Sequence, residues 1–277
     1  PNTDIKGGIT ITIHNKNVVY GAIKKFIPNE LLRSIASKFT QDSENNLSQI
    51  VFSGRSDLKF NDVFLDTFPN SKNDRVAFMR IKRPAIQELG PNEEYELKSS
   101  TFEALPYIFE DSVDDKNAYY HLLGLVSAKR EWKYIKRDYM TPRYPKQNNI
   151  DKFKVMIPES NGSGTLGEPL GKFEIGYPGD SSTTTFIGVG AFDTLEEAQN
   201  CSKYLKSKLV RCLLGILKIT QHNPQATWAY VPMQDFSPSS DIDWSKTIAE
   251  IDLQLYEKYH LSPEERAFIE EKVMPMD

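Results

Sequence analysis

The amino-acid sequence predicts a mixed α/β (α+β) fold in which short strands and hairpins pack with a few helices. Three observations carry that reading. Stretches such as "GGITITIHNKNVVYGAI" alternate apolar and polar residues with the two-residue period of a strand. A long amphipathic run begins near Leu195, behind the capping box formed by Thr194 and Glu197. Pro, Asn and Gly divide the chain between Ser48 and Lys98 into short apolar pieces.

Taken in order, "GGITITIHNKNVVYGAI" reads as strand, turn and strand, with Asn15-Lys16-Asn17 at the tip. "NELLRSIASKF" then reads as a short amphipathic helix after Pro28. The pieces "QIVFSG", "DVFLDTF" and "RVAFMRI" read as strands joined by surface loops, and "FEALPYIFEDSVDDKNA" as an acidic, irregular connection. "YYHLLGLVSAKREWKYIKRDYM" holds two β-rich runs around a basic tip from Ser127 to Glu131, the pattern of a hairpin. Along its second run Trp132, Tyr134, Lys136 and Asp138 share one face. Lys133, Ile135, Arg137 and Tyr139 share the other, and neither face is cleanly apolar.

The glycine-rich "ESNGSGTLGEPLG" reads as a loop before the strands "KFEIGY" and "TTTFIGV". The helix from Leu195 then places Leu195, Ala198, Cys201, Leu205, Leu209, Cys212, Leu213, Ile216 and Leu217 on a broad apolar side. Lys203, Lys208, Arg211 and Lys218 fall opposite, as an expected basic surface. A last helix begins at Ser262-Pro263-Glu264-Glu265, with Ser262 as cap, Pro263 at the first helical position and Glu265 closing a second box.

Composition narrows the function. With 39% hydrophobic and 26% charged residues over 277 positions, the chain is a globular protein and not a disordered one. No apolar run approaches the roughly 20 residues that span a bilayer. The start, Pro1 with no preceding methionine and no basic-then-apolar leader, reads as a fragment of a longer chain or a processed product. Cys201 and Cys212 read as buried free thiols of a reducing cytoplasm, where the protein is expected to reside. The four histidines are scattered and pair with no Cys or Glu at zinc-ligand spacing.

The net charge of −4 conceals an uneven distribution. From Lys129 to Lys146 seven basic residues face two acids, and from Lys203 to Lys218 five basic residues face none. From Asp235 onward eleven acids face four bases. The acidic tail hides two basic regions.

Three constellations carry candidate chemistry. The stretch "TFIGVGAFDTLEEAQN" reads as strand, Gly188-Val189-Gly190 and helix, the order of a nucleotide or S-adenosylmethionine loop. It lacks the third glycine, and Ala191-Phe192-Asp193 puts bulk and negative charge where the cofactor's polar end would lie. The pattern fits a turn that aims the following helix, so no cofactor is expected in this chain. The nearest approach to the Asn-Pro-Pro-Tyr motif of amino-methyltransferases is Asn223-Pro224-Gln225-Ala226, without the second proline or the aromatic ring.

Glu96-Leu97-Lys98 has the Glu-x-Lys spacing of metal-dependent nucleases, with Asp62 or Asp66 upstream as a second carboxylate. The competing reading of Glu-x-Lys is a solvated strand face. The third constellation is basic and aromatic: Lys129, Arg130, Lys133, Lys136, Arg137 and Arg143 interleave with Trp132, Tyr134 and Tyr144. Cations of this kind neutralise phosphates, and flat rings pack on sugars or bases. A solvated polar face on an aromatic-rich fold competes with it, as does a protein-interaction module whose acidic tail meets a basic partner.

Several stretches together resemble the C-terminal half of combined type II restriction–modification enzymes, whose methylase part is an adenine-specific DNA methyltransferase. "DIKGGITITI" looks like the strand that closes the methyltransferase core in that family. "REWKYIKRDYM", "FKVMIPESNGSG" and "TTTFIGVGAFDTLEEAQNCSKYLKSKLVRCLLGILKITQ" resemble its target-recognition region in order. "WAYVPMQDFSPSSDIDWS" and "LYEKYHLSPEERAFIEEKV" are similar to its C-terminal segments. Thr12 stands where the family often has a bulky aromatic.

The resemblance implies a DNA target-recognition domain of a restriction–modification methyltransferase. Residues 1–26 would be a hairpin continuing from the methyltransferase domain, 27–235 the target-recognition domain, and 236–277 an acidic helical segment. The partners implied are double-stranded DNA and the remainder of the parent chain, with no membrane. S-adenosylmethionine would be the parent's cofactor, joined by Mg2+ if the parent also cuts DNA. The DNA-facing residues expected are Lys129, Arg130, Trp132, Lys133, Tyr134, Lys136, Arg137 and Arg143 on the hairpin side, and Lys203, Lys208, Arg211 and Lys218 on the helix.

Overall fold

The computed structural model describes residues 14–18, 26–39, 45–52, 55–145 and 148–276. Both strands expected in the N-terminal hairpin, and Thr12, lie outside the described residues. The tip is in place: the Val18 N–H donates to the Asn15 carbonyl at 3.2 Å and the Asn17 N–H to Asn15 Oδ1 at 3.0 Å. The fold is mixed α/β.

The helix α1 (Glu30–Ser37) starts where the Asn29 side chain accepts from the Leu32 N–H, and it buries Ile35 and Ala36. After β1 (Val51–Phe52) and β2 (Leu58–Phe60), two segments expected as strands are helices, α2 (Asp62–Thr67) and α3 (Ser71–Arg80). Their apolar runs are too short for periodicity to tell helix from strand. The deciding feature of α2 is the Asn61 side chain, which accepts from the Phe64 N–H as an N-cap. In α3 the buried Arg75 donates to the carbonyls of Glu93 and Glu94 at 3.0 Å each, fastening the helix to the segment behind it.

Beyond the short α4 (Thr101–Ala104) come β3 (Tyr119–Val126) and β4 (Lys129–Lys136), the expected hairpin. Val126 pairs with Lys129, so the turn is Ser127-Ala128 alone, with φ of 47° and 64°. Two residues at positive φ give a tight turn whose twist matches the strands. β5 (Met140–Pro142), β6 (Phe153–Pro158), β7 (Glu174–Gly176), β8 (Asp180–Ser182) and β9 (Phe186–Phe192) follow. The sheets are an antiparallel β1-β9-β6-β7, the pair β2-β5, and β4-β3-β8 with β3 and β8 parallel.

The helix expected from Leu195 to Leu217 is two helices, α5 (Leu195–Lys206) and α6 (Lys208–Leu217). The Thr194/Glu197 box starts α5 as expected. Ser207 breaks the run: extended at φ −59° and ψ 150°, it ends α5 while its hydroxyl accepts from the Val210 N–H and starts α6. The new axis changes which residues face inward. Arg211 is 2% exposed and Lys218 6%, so the expected basic surface opposite the apolar stripe does not exist at these two positions.

α7 (Ile248–Lys258) and α8 (Pro263–Lys272) complete the chain. The Ser262/Glu265 box is present, and a Thr247/Glu250 box not marked in the sequence starts α7. Trp244, Ile251, Leu255, Phe268 and Ile269 of the acidic tail join a large core with Val155, Val189, Tyr204, Leu213 and Trp228. A second core gathers Leu58, Phe60, Phe64, Leu97, Phe102, Leu122 and Ile135. Leu123, Met156 and Phe186 form a small cluster of their own, which half-buried Trp132 and Leu125 join. Cys201 and Cys212 are buried free thiols, and burial pushes Cys212 up to about 12. Among the described residues no helix is long and apolar enough to cross a membrane.

Candidate nucleic-acid interface

Gly188, Val189 and Gly190 lie within β9, not in a loop or a turn. Gly188 pairs with Phe52 on one side and Met156 on the other. A Cβ there would meet Asn149 Nδ2 at 2.6 Å, and the same Nδ2 donates to the Gly190 carbonyl at 3.0 Å. Gly190 takes φ 86° beside the register shift between Phe153 and Val155, with the Phe192 ring folded over it. The glycines let a bulged central strand pack closely; the helix is launched by Thr194 instead.

The β3–β4 hairpin builds the site. Period-two alternation sends Trp132 and Tyr134 to one face, where His121 of β3 pairs directly with Tyr134. The imidazole stacks on both rings, 4.4 Å from the Trp132 centroid at 23° and 4.4 Å from the Tyr134 centroid at 21°. Asp180 of β8, the parallel neighbour of His121, fixes the imidazole through an Nδ1–Oδ1 contact of 3.1 Å. Asp180 is itself held by the Tyr177 N–H at 2.8 Å. These rings line an open groove of about 490 Å³ together with Lys116, Arg137 and Tyr177, and with Glu174 on its acidic side. His121, Lys116 and Tyr177 went unmarked in the sequence, although His121 alternates in phase with Leu123 and Leu125 along its strand.

The candidate cations divide by what already holds them. Lys129 and Lys136 are exposed, and no ion pair engages them among the described residues. Lys136 lies 5.9 Å from the Tyr139 ring centroid. Arg137 is half-buried, its guanidinium 4.2 Å from the Tyr120 ring centroid while Nε donates to the Tyr119 carbonyl at 3.1 Å. Arg130 donates to the Lys172 carbonyl at 2.7 Å and pairs with Glu174 at 3.3 Å. Lys133 pairs with Asp111 at 2.8 Å and Glu131 at 3.2 Å, and the Asp111 bond pushes its pKa up.

The helical cations turn inward or pair. Lys203 donates to the Trp244 carbonyl at 2.6 Å, Lys208 pairs with Glu270, and Lys218 donates to the Asn161 carbonyl at 3.0 Å. Arg211 donates to the carbonyls of Lys206 at 3.1 Å and Gly167 at 3.3 Å, and its other terminal nitrogen is buried without a bond. Burial lowers its pKa, opposed by the nearby Asp252 carboxylate. The structure therefore separates the twelve expected residues into an open hairpin face and a set of cations spent on internal contacts.

Members of the nuclease constellation are bonded to other side chains. Glu96 pairs with Arg143 and with Arg55 at 3.2 Å, Lys98 bonds Glu93, and Asp62 accepts from the Tyr95 hydroxyl at 2.9 Å. Glu96 is only 13% exposed, unlike the solvated strand face that competed with the nuclease reading. Among the described residues no three His, Cys, Asp or Glu side chains gather as a metal group. The chain matches no known protein-family profile and no curated protein sequence.

Proposed function

We propose that the chain binds duplex DNA and selects a short sequence for an adenine-specific methyltransferase carried by the rest of a longer restriction–modification chain. The observation that supports this best is the Trp132–His121–Tyr134 stack on an open groove edged by Lys116 and Arg137, on the hairpin that also presents Lys129 and Lys136. The free lysines neutralise phosphates and set the register of the duplex, a contact that carries no sequence information. The rings offer flat surfaces to sugars or to a base drawn out of the stack, and neighbouring loops read base edges. Methyl transfer and S-adenosylmethionine belong to the parent's other domain.

The test is a titration of labelled duplexes by fluorescence anisotropy, with and without Mg2+, followed by electrophoresis of the DNA. Binding without cutting is the expected result. Absence of binding to any duplex at low salt overturns the reading. Mg2+-dependent cutting that Glu96→Gln and Lys98→Ala abolish would establish the nuclease instead.

A further inference from the structure

A second groove, of about 520 Å³, lies between the C-terminal end of α3 and the hairpin tip; Phe78, Met79, Lys82, Arg83, Ser100 and Ala128 line it. The segment "MRIKRP" belongs to none of the basic regions marked in the sequence. Arg80 donates to the carbonyls of Ile86 at 2.8 Å and Gln87 at 3.3 Å, which ties the following loop back against the helix. The Lys82 and Arg83 N–H groups both donate to the Met79 carbonyl, at 3.2 and 2.9 Å. This places Ile81, 75% exposed, and the exposed Lys82 and Arg83 on bonded backbone facing outward.

The opposite wall is also held. Glu103 accepts from the Ser127 N–H at 2.9 Å, tying the turn to α4. The other charged residues of the groove are Glu103, held by that bond, and Lys98, already bonded to Glu93. Lys82 and Arg83 have no ion pair among the described residues, and the exposed Lys129 follows the turn directly. A cation bonded to a carboxylate gains little by exchanging it for phosphate, whereas a free exposed cation releases counterions from DNA at full effect.

We infer that this groove takes a phosphodiester backbone of the duplex, with Lys82, Arg83 and Lys129 as its phosphate ligands. The inference rests on the DNA-binding reading above and adds a contact surface to it. Strands rise about 3.3 Å per residue, so Ala128 lies about 20 Å along the hairpin from Tyr134. The two grooves therefore sit toward opposite ends of the hairpin.

The test measures duplex affinity of the whole chain across a salt series, for the Lys82→Ala/Arg83→Ala double variant against the unmodified protein. The expected result is weaker binding to every duplex and a log-affinity against log-salt slope flattened by about 1.8, or about 0.9 per lost contact. A control, Lys152→Ala/Lys246→Ala, removes two exposed lysines already paired to Asp193 and Asp243, and should leave the slope in place. Matched thermal midpoints establish that all three proteins are folded. An unchanged slope in the double variant, while the unmodified protein binds, overturns the groove and leaves the DNA-binding reading standing. An unmodified protein that binds phosphatidylserine vesicles and no duplex overturns both.

Discussion

Arg143 grips Glu96 with both terminal guanidinium nitrogens, at 3.2 and 2.6 Å, and the two side chains are only 10% and 13% exposed. Arg143 Nε also donates to the Ser56 carbonyl at 3.0 Å. The pair therefore consumes one residue expected to touch DNA and one expected to hold a metal. Its work is to fasten β5 to the segment after α3.

Removing one member of a shielded pair strands the other. Arg143→Ala is expected to cost about 3 kcal/mol, the low end for breaking a buried pair, because Arg55 keeps a hold on Glu96. Urea unfolding measures it. A cost below about 0.5 kcal/mol would place the pair with ordinary surface ion pairs.

Arg211→Glu is expected to destabilise the fold by about 3 kcal/mol or more, since it buries a second carboxylate near Asp252 and orphans two carbonyls. Leu213→Ala, at a fully buried position, is expected to cost about 2–5 kcal/mol through the cavity it leaves. Thermal melts compare the two. Normal melting of Arg211→Glu would return that side chain to the surface.

On the hairpin the salt dependence separates free from paired cations. Lys129→Ala/Lys136→Ala is expected to flatten the log-affinity slope by about 1.8, while Lys133→Ala changes it little because Asp111 and Glu131 already neutralise that ammonium. Equal slopes for both variants would remove the distinction.

Asp57 supplies a pH-dependent term. Desolvation raises its carboxyl to about 6 against the attraction of Lys154 and Arg143. A folded-state pKa above the unfolded value of about 3.9 means that the folded protein holds the proton more tightly. Ionised Asp57 therefore weakens the fold above about pH 6, and the penalty fades as pH falls toward about 4. Asp57→Asn is expected to melt higher than the unmodified protein at pH 7 and to match it near pH 4. A gap that stays constant across that range contradicts the assignment.

The parts legible in the sequence are those written in local pattern. Alternation placed Trp132 and Tyr134 on one face, and the Thr194/Glu197 and Ser262/Glu265 boxes marked their helix starts. Local pattern also misled. The apolar runs of α2 and α3 are too short to choose between periods, and Ser207 breaks a helix that the 3.6-residue period carries straight through. Pairings across long separations leave no local trace. Arg143 with Glu96 is 47 positions apart and Lys208 with Glu270 is 62, so the sequence could not reveal which cations were already spent.

The hairpin also has a mechanical reading. Its eight-residue strands make an arm of about 26 Å from base to turn. At the base, β8 and the Arg137–Tyr120 contact hold the arm. A tilt of about 5° there would carry the turn about 2 Å sideways over such an arm. Phe102 lies where a side chain on Gly124 would stand, with ring atoms 2.7 to 2.9 Å from that point, and it braces the arm near its end. Any side chain at position 124 would drive against this ring and lever the turn outward.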